Sequence, residues 1–297
     1  MGDKKKHHFV SQFILNNFAN DRGQLSVSRM DGTPEYIAKV SDIGHRNNGF
    51  RVEELHEDHT YIEDLHSVLE SSVAEIFHGW QHSEARPVTE AERDLVERFI
   101  VLHMMRWPVL SDSLLGTLDE SLAGLGQVAH LPEVQILKRD LLVEAVSYAA
   151  GSSRAEQWDM PVGGDRWQTY KDELANFRWV LIRFEDPMLL IGDRLVNGFG
   201  RVGETPRSPR WKGSTFGDGG LSTWTRITIP FSPFAGLLLT RNPELMSLRP
   251  ERFNQSTIRN SREFVAYSPR WPESSPDMFE SARALIREQI QYLSEGN

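Results

Sequence analysis

Residues 88–108 read VTEAERDLVERFIVLHMMRWP. Thr89 followed three residues later by Glu92 is a capping-box pattern, so a helix should begin here. It should run to Trp107 and stop at Pro108, whose ring cannot continue it. Between Phe99 and Met105 the segment is apolar on every side except at His103, and such a helix is normally buried between layers. At 100° per residue, Leu95, Phe99 and Leu102 define one face. Arg106 falls within that face, and His103 lies between it and Val96. A guanidinium aimed at a helical core needs a carboxylate partner, either in a structural salt bridge or in a site.

Working outward, Ile62, Leu65, Leu69, Val73 and Ile76 recur at helical spacing. They predict a helix from Thr60 to about Gly79, with Thr60 and Glu63 as its capping box. Glu63, His66 and Glu70 share the border of its apolar stripe. Carboxylate and imidazole at i, i+3 and i+7 suit a metal, although a solvated helix flank has the same pattern. Further helices are expected over 111–125, 132–150, 167–176, 250–266 and 278–293. A first short helix is expected over Val10–Phe18.

Strands are expected at Leu25–Ser28 and Glu35–Val40, a hairpin around the DGTP turn. Others are expected at 179–182, 188–191, 225–229 and 237–240, with SDIGHRNNGF (41–50) as loop. The resulting fold class is α+β: a mostly helical body with a small, mainly antiparallel sheet built from N-terminal and central or C-terminal strands. One domain over 1–297 is expected, with a glycine-rich loop at about 197–223 acting as a lid.

Bulk properties narrow the classes. The 297 residues carry a formal charge of −9 and no cysteine. Disulfides, thiolate metal sites and a cysteine nucleophile are excluded. A cytoplasmic protein fits that usage. The acidic balance disfavours a wholly basic nucleic-acid surface. No stretch approaches the roughly 20 apolar residues of a membrane span. Lys4, Lys5 and Lys6 are not followed by the apolar run of a signal peptide.

Three more features carry chemistry. His7 and His8 stand directly before FVSQFILNNF. If His8 opens the first helix, Gln12 stacks on it at i+4; an exposed basic arm is the bland alternative. Asp193 closes the strand-like MLLIGD, a frequent position for catalysis and equally for a turn. GFGRVG (198–203) spells GxGxxG, but Glu204, Pro206 and Pro209 follow where a dinucleotide fold needs a helix. Arg201, Arg207, Arg210 and Lys212, near Phe199, Trp211 and Phe216, make that loop basic and aromatic. It would suit an anionic small molecule or a nucleic-acid strand.

The opening KHHFVSQFILNNFA and RGQLSVS resemble the start of the mainly bacterial domain-of-unknown-function family 4238. IEDLHSVLESSVAEIF (62–77), RFIVLHMMRWP (98–108), WVLIRFEDPMLLIGDRLV (179–196) and ITIPFSPFAGLLL (227–239) are similar to later family segments, in order. Ser11 replaces a family proline, His103 a glutamine, and Gly192, Arg194 and Leu195 the residues around the aspartate. The resemblance supplies no activity. It implies that His7, His8, Gln12, Glu70, Arg106 and Asp193 belong together.

From these residues we expect one polar pocket of His8, His7, Glu70, His103, Arg106, Asp193 and Gln12 under the loop. Its chemistry would be hydrolysis of a phosphoester, nuclease-like, with histidine as acid/base or metal ligand. A divalent metal (Mn, Fe, Mg or Zn) is the expected cofactor class, with Glu63 and His66 as candidate ligands. The alternatives are a non-catalytic sensor for an anionic ligand or protein partner, and a purely structural polar cluster.

Overall fold

The Thr89 capping box forms as its sequence predicts. The Thr89 hydroxyl accepts from the Glu92 N–H at 3.2 Å, and the Glu92 carboxylate accepts from the Thr89 N–H at 3.0 Å. Two of the orphan N–H groups at a helix start are thereby satisfied. The computed structural model describes residues 6–47, 61–82, 88–106, 131–136, 164–201, 220–242, 244 and 248–295. The Thr60 capping box, the expected helix over 111–125, most of that over 132–150, and residues 202–219 of the proposed lid lie outside the described residues. Among the described residues, no helix is long and apolar enough to cross a membrane.

Residue contacts divide the chain into two units. The first contains Met1–Phe9, His45–Ile76 and Pro87–Lys171. Its described elements are strand β1 (Lys6–His8), strand β4 (His45–Asn47), helix α2 (Tyr61–His82) as far as Ile76, helix α3 (Glu90–Met105) and the start of helix α4 (Gly164–Ala175). β1 and β4 pair antiparallel, with His7 opposite Arg46 and His8 opposite His45. In α3, Val96 and every residue from Phe99 to Met105 are buried, as its apolar girth requires. Its polar flank is tied by Arg93–Glu97 and Arg98–Asp94 pairs, and Lys171 of α4 reaches Asp94 at 2.7 Å.

The second unit contains Val10–Gly44, Phe77–Arg86 and Asp172–Asn297. It holds helix α1 (Gln12–Phe18) and two four-stranded antiparallel sheets. One has the order β3-β2-β10-β6, from β3 (Tyr36–Lys39), β2 (Gln24–Arg29), β10 (Phe264–Tyr267) and β6 (Ile191–Gly192). The other has the order β5-β9-β8-β7, from β5 (Arg178–Arg183), β9 (Ala235–Thr240), β8 (Trp224–Ser232) and β7 (Asn197–Arg201). Helices α5 (Pro250–Asn260), α6 (Trp271–Ser274) and α7 (Pro276–Ser294) complete it. Tyr267, Trp271 and Phe279 meet edge to face at 5.3–5.5 Å and anchor a core with Met30, Leu190, Ile258, Val265 and Ile286. Such arrangements suit the aromatic quadrupole.

The α+β class holds, with corrections of detail. The β structure is two sheets and a ribbon, not one small sheet. The helix expected over 250–266 ends at Asn260, and Phe264–Tyr267 is instead a buried strand between β2 and β6. FVAY is β-branched and aromatic, and pairing on both edges outweighs helix continuation. Of the expected strand 188–191 only Ile191 is retained in β6. The Asn254 amide grips the rest, accepting from Leu190 N–H and donating to the Met188 carbonyl. His45–Asn47, expected as loop, is strand β4, and His8 lies in strand β1, so no i+4 stacking with Gln12 arises. The start of the proposed lid, Asn197–Arg201, is strand β7. Its glycines serve packing: a Cβ on Gly198 would sit 2.1 Å from the Trp224 ring.

Candidate functional site

The site is built on the first unit. In a strand, successive side chains point to opposite faces. His7 is accordingly buried and His8 half-buried. His7 faces inward, on the side of His66 of α2. His8 stands opposite His45, with ring centroids 5.4 Å apart.

Arg106, the C-cap of α3, is buried and holds the elements together. One terminal nitrogen donates to Glu70 of α2, and the other donates to the His8 carbonyl. Glu63, two turns before Glu70, approaches the same guanidinium at 3.8 Å. Two carboxylates thus offset one buried cation, which would otherwise be costly to enclose. These are the same two carboxylates whose spacing suggested a metal site. Among the described residues, no three His, Asp or Glu side chains are grouped to hold a metal ion.

His66 and His103 are both enclosed, at 1% and 2% exposure. Burial pushes the His66 imidazole well below its usual value, and the charge of the Arg106 guanidinium acts in the same direction. Burial does the same to His103, helped by Arg106 and opposed by a hydrogen bond to the Phe9 backbone. Both rings are therefore neutral at pH 7. The structure brings His7, His8, Glu63, His66, Glu70, His103 and Arg106 into one unit, linked as described. It adds His45, which the sequence reading missed because a three-residue strand in a turn-rich stretch has no periodicity. The one signal was that a histidine pair ahead of a helix needs a partner strand if it is extended.

Gln12 and Asp193 belong to the second unit. Gln12 is exposed on the first turn of α1. Asp193 is buried, and its carboxylate accepts from the Arg262 N–H at 2.9 Å, while its own N–H donates to Phe264. It thus ties the end of β6 to the start of β10. Its neighbour Arg194 is enclosed above the Trp224 ring, with Asn260 at 3.5 Å. Burial lowers the Arg194 pKa to about 10 against the pull of Asp193. Asn260 is the last residue of α5, so the cation lies where a helix dipole favours positive charge.

The profile of the family described as Protein of unknown function (DUF4238) matches residues 6–270. No curated protein and no solved structure matches the chain. With most of its length matched, the chain belongs to the DUF4238 family.

Proposed function

We propose that this DUF4238 protein is a phosphoester hydrolase with nuclease-like chemistry, acting in the bacterial cytoplasm. The observation that supports it is the half-buried His8–His45 pair, held from behind by the Arg106–Glu70 ion pair through the His8 carbonyl. Phosphoester hydrolysis needs a base to take a proton from water and an acid to give one to the leaving oxygen. Imidazole performs both near neutral pH. His8 is assigned to the reacting site, as proton-transfer group or as metal ligand, since it is the member of the HH pair that reaches the surface. Arg106 is a positioning residue: both terminal nitrogens are engaged, so it fixes the strand that carries His8. His66 and His103 remain neutral and add no charge to the enclosed side.

The test is a panel of phosphomonoesters, phosphodiesters and single- and double-stranded nucleic acids, with Mg, Mn, Fe or Zn. Turnover should fall by about 10²-fold or more in His8→Ala, the usual scale of acid–base catalysis. Full turnover in a folded His8→Ala protein would sink the assignment.

A second reading is a non-catalytic module for an anionic ligand or protein partner. The commitment of Arg106 to Glu70 and the His8 carbonyl favours it, because that guanidinium is not open to a developing phosphate charge. Saturable binding without turnover across the panel would decide for this reading.

A further inference from the structure

We infer that His8 and His45 form a two-imidazole site for a divalent transition metal on the β1–β4 ribbon. This deepens the hydrolase reading and rests on it for its catalytic role, though not for the binding itself.

The first ground is placement. The two residues face each other directly across an antiparallel pair. Directly opposed side chains have Cβ atoms about 5 Å apart, near enough for both rings to reach one ion. The second ground is spacing. A zinc–nitrogen bond of about 2.0–2.1 Å plus a ring radius of about 1.2 Å puts each ring centroid roughly 3.2 Å from the metal. At a tetrahedral angle the two centroids would then lie about 5.2 Å apart. The observed separation is 5.4 Å.

The third ground is an unmet need. The Nδ1 atom of His45 is buried and makes no hydrogen bond. Polar atoms removed from water normally find a partner, and a metal ion would be one. The fourth ground is charge. The chain of contacts behind His8 runs from its carbonyl to Arg106, then to Glu70 and Glu63. Two carboxylates against one guanidinium leave one negative charge behind the ribbon to set against Arg46 on it, so a metal ion adds to no net positive charge. Imidazole donors select zinc, cobalt, copper or iron over magnesium or calcium. Two protein ligands leave open positions for water and a substrate oxygen, the arrangement that lets a metal generate hydroxide near neutral pH.

A competing pair must be removed first. His78 and His82, one turn apart near the end of α2, are exposed with ring centroids 4.5 Å apart. The parent protein for the test is therefore His78→Ala/His82→Ala. Titration with Co(II) should give one tetrahedral, strongly absorbing ion per chain, displaced by Zn(II). Cu(II) loading should give an electron paramagnetic resonance spectrum split by two nitrogens. Both signals should be lost in His45→Ala and in His45→Gln, with circular dichroism confirming the fold. Undiminished Co(II) binding in either folded variant overturns the site, as does a parent that binds none of the three ions. Should the variants fail to fold, the nitrogen count in the parent decides: two supports the site, none overturns it. The two proposals fail separately. Metal binding without turnover ends the hydrolase reading and leaves the site. Turnover that survives chelation and His45→Ala ends the site and leaves the hydrolase.

Discussion

Acidification from pH 7.5 to 5.5 should destabilise the protein through His66 and His103. Both imidazoles are enclosed, and burial holds both well below their ordinary value. In the unfolded chain each titrates near 6.5. Between the folded and unfolded values the unfolded chain binds protons that the folded chain does not. Stability therefore rises with pH, is fully present above about 6.5, and is lost as the pH falls below it. One group contributes at most about 1.4 kcal/mol per pH unit. Integrated from pH 7.5 to 5.5, each loses at most about 1.4 kcal/mol and the pair at most about 2.7 kcal/mol. Against a typical total of roughly 5–15 kcal/mol this is easily measured. The assay is urea denaturation followed by circular dichroism at several pH values. His66→Gln and His103→Gln should each remove about half of the dependence, and the double variant most of it. A stability that stays level or rises as the pH falls would refute the reasoning, as would a double variant that keeps the full slope.

Three other outcomes follow from the packing. Arg106→Met should cost about 3–5 kcal/mol, because it strands Glu70, Glu63 and the His8 carbonyl. Adding Glu70→Gln to it should recover part of that loss, and a single-variant cost below about 1 kcal/mol in urea denaturation would contradict the ion-pair account. Thr89→Ala should lower stability by about 1 kcal/mol and speed amide exchange in the first turn of α3, since the Glu92 N–H loses the Thr89 hydroxyl that accepts from it. Gly198→Ala should cost about 3 kcal/mol and shift the tryptophan fluorescence, because the new methyl group meets the enclosed Trp224 ring. An unshifted spectrum with unchanged stability would count against that register.

Periodicity and capping made the long helices legible. α2, α3 and α7 have continuous apolar stripes, and the box at Thr89 is a local bond between residues three apart. The wheel also placed Arg106 and His103 on the enclosed side of α3, where they are found. Pairing partners were not legible, because they depend on residues distant in the chain. Phe264–Tyr267 is a short apolar run four residues after a helix, and β2 and β6 on either side make it a strand. β4 is three residues long and has no period to read. His45 was therefore missed, although the histidine opposite it had been singled out. Gly198 illustrates the converse: the first glycine of the dinucleotide-like GxGxxG spelling is required to admit an indole.

The place of β10 has a consequence for biosynthesis. β2 pairs with β3 as soon as the hairpin emerges, but its other edge is met by Phe264, opposite Arg29. At about 5–20 residues per second, a ribosome needs roughly 10–50 seconds to make the intervening chain. For that interval the inner edge of β2 has open backbone groups and no strand to receive them, the condition under which nascent β-structure associates with the wrong neighbour. Chaperone dependence of this protein should therefore concentrate in the time between emergence of the β2–β3 hairpin and emergence of Phe264–Tyr267.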